Sequence, residues 1–140
     1  MQQEKDYIKR EIQKLTMALM KLIDKTVSAD INNFESVVFE TNEQIKEYFG
    51  LSLNEIAAAD NSKLMDRVES FHEVHIEKLI ELLFQTIQKS EELEVELNFE
   101  IEELSNKLLL MIDFANEKSK SFSVERMNMK THLIKNSNKE

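Results

Sequence analysis

One glycine, Gly50, and no proline in 140 residues leave this chain almost without the residues that tight turns, bulges and hairpins depend on. Sheet-rich folds reverse direction every few residues and draw heavily on both. A chain lacking them is confined to long helices joined by short polar connections. That omission alone predicts an all-α protein.

Apolar periodicity supplies the helices. Over residues 7–26, Ile8, Ile12, Leu15, Leu19 and Leu22 recur at alternating steps of four and three, one seam on a helix, and Met20 and Ile23 widen it toward a bundle helix. Lys9, Arg10, Glu11 and Lys14 fill the opposite side. After Ser28-Ala29-Asp30, whose side-chain oxygens suit a cap, Phe34, Val38, Thr41, Ile45 and Phe49 repeat the pattern until Gly50 ends it in the left-handed conformation that glycine adopts without strain. Ser52-Leu53-Asn54-Glu55 reads as a capping box opening a short third helix through about residue 59. Beyond the Asp60-Asn61-Ser62 break, Leu64, Val68, Phe71, Leu79, Leu83 and Ile87 trace apolar faces to about residue 89. No glycine or proline marks a joint there, and one bent helix and two helices both fit.

From Glu91 two periods compete. Leu93, Val95, Leu97, Phe99 and Ile101 alternate with polar residues as in a half-buried strand, while Leu93, Leu97, Ile101, Leu104, Leu108 and Met111 satisfy a helix. Helix is the reading here: glutamate is poor in strands, no second strand is evident, and no turn residues bound the run. A symmetric strand pairing across a dimer is the exception. Ser119 to Ser123 suggests a connector, Val124 to about Lys135 a last helix, and residues 136–140 a frayed tail. The expected architecture is therefore one domain over residues 1–140, an antiparallel helical bundle or array of about six or seven helices.

Asp6-Tyr7-Ile8-Lys9-Arg10-Glu11-Ile12, continuing to Leu19 and Leu22, resembles the opening of a family of small uncharacterised bacterial proteins. Gly50-Leu51-Ser52-Leu53-Asn54-Glu55-Ile56 and the approach to Glu125-Arg126 look similar as well. The resemblance implies an all-helical, tetratricopeptide-like or bundle fold and no established activity; the chain carries no clear 34-residue repeat of its own.

Inventory excludes much chemistry. Without cysteine there is no disulfide, thiolate metal site or cysteine nucleophile. One glycine allows no phosphate-cradling loop or nucleophile elbow. A net charge of −9 repels phosphate backbones and anionic lipid, so neither nucleic acid nor membrane is an expected partner. No leader or spanning stretch is evident, and the expected location is cytoplasmic.

The sharpest chemical candidate is Glu69, His72 and His75, with Glu73 beside them, because on one helix residues three apart share a face and Glu-x-x-His is a di-iron bundle motif. Such sites require a second copy, and the remaining histidine, His132, has Met129 three residues before it. The expectation is an adventitious pair with no metal, cofactor or catalytic residue, and the rival reading is a metal- or ligand-binding bundle on that face. Seven glutamates between Glu91 and Glu103 read as a solvated face or, more sharply, a docking site for a basic partner. Residues 1–103 carry −12 and residues 104–140 carry +3, which leaves a basic last helix free to fold back on the acidic face or to reach a neighbour. Met17, Met20, Met65, Met111, Met127 and Met129 read as core filling, and Tyr7 and Tyr48 as core-edge residues. The function expected is a non-enzymatic interaction module that binds a protein partner or itself, as a homodimer.

Overall fold

The computed structural model describes residues 2–119 and 123–137. Seven helices and no strand occupy those residues: α1 Gln2–Val27, α2 Phe34–Phe49, α3 Leu53–Ala58, α4 Asn61–Glu69, α5 Glu73–Leu93, α6 Ile101–Ser119 and α7 Val124–Ser137. The all-α architecture and the number of helices match what the sequence implies.

α5 organises the rest. His75, Ile76, Leu79, Ile80, Leu82, Leu83, Phe84, Thr86, Ile87 and Ser90 are all buried on it, a wider set than one apolar stripe supplies, and a helix covered so broadly belongs at the centre. α1 and α6 pack along it, α2 lies against α1, and α3, α4 and α7 lie against α6. Leu19, Leu22 and Ile23 of α1, Phe34, Val38, Ile45 and Phe49 of α2, and Leu104, Leu108, Met111 and Ile112 of α6 complete one continuous apolar core. Two buried threonines settle their hydroxyls locally: Thr26 Oγ1 donates to Leu22 O at 2.8 Å and Thr86 Oγ1 to Leu82 O at 2.9 Å. Thr41 Oγ1, also buried, has no hydrogen-bond partner among the described residues.

The joints follow local chemistry. Gly50 caps α2 at φ 78°, its N–H donating to Lys46 O, and a β-carbon there would collide with the Arg67 guanidinium, which donates to Phe49 O from Nε at 3.4 Å and Nη2 at 3.3 Å. Ser52 forms the expected capping box with Glu55, and Asn42 Oδ1 accepts the Leu53 N–H at 2.8 Å. Lys46 Nζ reaches Glu55 Oε1 at 2.6 Å. That hydrogen bond, followed by the Ser52 N–H, holds the Glu55 carboxyl below the usual range.

One open choice is resolved and one element departs from the periodic reading. Residues 64–89 form two helices, not one, because Ser70 Oγ and N–H both turn back to Arg67 O and His72 caps α5, its Nδ1 accepting the Val74 N–H at 3.1 Å. The helix expected from residue 93 to 112 is also interrupted. α5 closes after Leu93, with Glu94 in the left-handed region at φ 54°, the Val95 N–H on Ser90 O at 3.1 Å, and Ser90 Oγ donating to Val95 O at 2.8 Å. Residues 94–100 are irregular, and burial alternates along them: Val95, Leu97 and Phe99 pack on the core while Glu94, Glu96, Asn98 and Glu100 face water. The strand-like alternation in the sequence is thus a strap with one side on the core, and it pairs with no strand among the described residues. At the other end α7 runs through Ser137, so Asn136 belongs to the helix rather than to a tail, and residues 138–140 lie outside the described residues.

Candidate functional site

Glu69, His72 and His75 do not share a helix face. Glu69 ends α4, His72 caps α5, and His75 stands in the first turn of α5, so the break at residues 70–72 separates the carboxylate from the pair. The two imidazoles lie 5.5 Å apart between ring centroids. His72 is exposed, whereas His75 is 7% exposed and sets Nε2 at 3.0 Å from Ile12 O. A carbonyl only accepts, so Nε2 carries a hydrogen in this contact. Ile12 O also takes the Thr16 hydroxyl at 2.8 Å, which makes His75 a tie between α5 and α1. Among the described residues no group of three or more histidine, aspartate or glutamate side chains is arranged to hold a metal ion. The third histidine, His132, lies elsewhere, its ring edge-on to Phe84 at 5.6 Å and its Nε2 3.0 Å from Asn136 Nδ2, which also donates to Glu91 Oε2 at 2.9 Å.

The His75 tie marks where cover on α1 stops. From Glu4 to Glu11 every residue of α1 is exposed, although Ile8 continues the seam that Leu19 and Leu22 bury farther along. Tyr7 is 62% and Ile8 57% exposed. Together with Ile12 and Leu15, the half-exposed Tyr48 at the end of α2, and His75 at the start of α5, they line an open groove of about 640 Å³ whose rim carries Glu11, Lys14 and Glu47. The seam expected to be core is therefore core in its second half and open surface in its first.

A second surface forms around the strap. On one side of Asn98, a cleft of about 290 Å³ lies against α2, with Val38, Phe39 and Leu97 as its apolar lining and Glu35 and Glu96 as its charges. On the other side, a cleft of about 300 Å³ lies against α3, with Ala57, Ala58 and Phe99 beside Glu100 and Glu103. Phe39 is 64% exposed. The acidic run of the sequence is thus not one helix face: Glu91 and Glu92 close α5, Glu94, Glu96 and Glu100 edge the strap, and Glu102 and Glu103 open α6.

Sequence reasoning missed the polar clasp of the last helix. Arg126, only 4% exposed, donates to Glu77 on α5 and to Asn116 Oδ1 at 2.7 Å and Ser119 Oγ at 3.1 Å on α6. The available signal was an arginine on the same face as Met129 and Leu133 in a helix with few large apolar residues. The basic helix therefore docks through a buried guanidinium beside Leu133 and Met129, and Lys130 pairs with Asp113 at 2.8 Å. The methionines divide: Met111 is buried and Met65 and Met129 pack on the core, but Met17, Met20 and Met127 are exposed, since helices α1 and α7 are covered on one side only. No described helix is long and apolar enough to cross a membrane. No family model matches the chain, and neither the curated proteins nor the solved structures contain a match.

Proposed function

We propose that this chain is a non-catalytic helical interaction module that pairs with a second copy through the open half of α1. The observation that carries the reading is the seam itself: Ile8, Ile12 and Leu15 continue a stripe that the rest of the molecule buries from Leu19 onward, with no described element over its first turns. An apolar stripe left in water costs about 25 cal/mol for every Å² that a partner would cover. Contiguous exposed apolar surface is a feature of contact sites. Tyr7 and Tyr48 fit such a contact, being large and rigid with a polar tip that tolerates a wet rim.

Sedimentation equilibrium tests the reading. The expected result is a dimer that Ile8→Lys converts to monomer without loss of helical signal, because Ile8 contributes little to the folded core. A strict monomer at all accessible concentrations, or a dimer indifferent to Ile8→Lys, removes this interface.

A further inference from the structure

The paired clefts around Asn98 share a chemistry that the α1 groove lacks. Each has an apolar lining and two carboxylates, Glu35 with Glu96 and Glu100 with Glu103, and among the described residues neither is lined by lysine or arginine. None of these four glutamates makes an ion pair with a described residue, although seven lysine or arginine ion pairs occur among the described residues, from Lys14–Glu11 to Lys130–Asp113. At roughly 300 Å³ each cleft sits at the low end of ligand sites, room for one large side chain and not for a whole cofactor.

We propose that the two clefts together are a docking site for a cationic amphipathic segment of another protein, with one apolar side chain seated on either side of Asn98 and lysine or arginine facing the four carboxylates. Charge complementarity selects this occupant. The same surface on a second copy would bring glutamates against glutamates, and like charges juxtaposed at an interface cost several kcal/mol. Nucleic acid and anionic lipid are repelled for the same reason. The exposed Phe39 gives the contact an apolar anchor that a solvated acidic face would not present. The inference stands apart from pairing through α1, since the two surfaces share no residue.

The test uses a fluorescein-labelled synthetic peptide of about 12 residues, long enough to form a helix on a surface, in which leucines and lysines alternate amphipathically. Its companion replaces every leucine with serine at equal charge. Anisotropy on the full chain is expected to give saturable one-to-one binding of the leucine peptide, with the serine peptide at least about tenfold weaker, which corresponds to about 1.4 kcal/mol. Raising salt from about 0.05 M to about 0.3 M weakens the leucine peptide, as screening of exposed charge requires. Glu96→Lys, Glu100→Lys and Phe39→Ser, all at exposed positions, are each expected to weaken it about five- to tenfold, whereas Glu47→Lys and Ile8→Lys on the α1 groove leave it within about twofold. Equal binding of the serine peptide, equal loss from Glu47→Lys, or no saturable binding at low salt overturns the proposal. The α1 interface is judged separately by sedimentation.

Discussion

Replacing Glu94 with glycine is expected to stabilise the protein, the reverse of what glycine does inside a helix. Glu94 holds the left-handed conformation at φ 54° where α5 closes, and its exposed side chain adds no packing to the core. That conformation costs an L-residue roughly 1–2 kcal/mol, which glycine is spared. The greater freedom of glycine in the unfolded chain takes back roughly 0.5–1 kcal/mol. A net gain of about 0.5–1 kcal/mol remains, to be read as a raised urea midpoint at unchanged slope and as a melting temperature higher by roughly 2–4 °C. Two controls separate conformation from charge. Glu94→Ala removes a carboxylate but keeps the β-carbon, and should gain little, while Glu92→Gly lies within α5 and should lose about 1 kcal/mol. A loss at Glu94→Gly comparable to that at Glu92→Gly would refute the reasoning, because it is what a continuous helix through this region demands.

Thr41→Val should raise stability by about 1 kcal/mol, since the buried hydroxyl has no partner to lose and its burial is costly; the same change at Thr86, whose hydroxyl bonds to Leu82 O, serves as the comparison in urea melts. Lys46→Met should move the Glu55 carboxyl titration upward, followed by carbon-detected NMR, because the lysine is the largest cause of its lowered value. The sign follows from linkage: a carboxyl held low in the folded state contributes stability that is complete above the ordinary carboxylate range and fades as pH falls through its lowered pKa. The Lys46→Met variant should therefore show a smaller acid-side decline, the part that the Ser52 N–H still supports.

Much of the fold was legible because caps and seams are local. Gly50, Ser52 and Glu55 act as their residue types suggest, and the stripe from Phe34 to Phe49 is buried along its length. The joints that went unread use residues outside the usual signals. A histidine caps α5, and a glutamate takes the position a glycine normally fills at its other end. The alternation from Leu93 to Ile101 carried correct information about which residues touch the core, but a period of two does not say whether a neighbouring strand exists. The site was less legible than the fold for a related reason. A seam tells which face is apolar and not how far its cover extends, so Ile8 and Leu19 look alike in sequence and differ in structure. The pairing of Arg126 with Glu77 joins residues 49 positions apart, which no spacing rule anticipates.

The attachment of the last helix has a consequence for how the molecule opens. Among its described residues α7 buries only Leu133 and Arg126, and a guanidinium withdrawn from water returns much of its binding energy as desolvation cost. Opening follows the weakest cooperative unit, so α7 is expected to swing away from α6 ahead of α5 itself. Amide hydrogens of residues 124–136 then exchange well before those of α5, and reagents that compete for guanidinium groups speed them selectively.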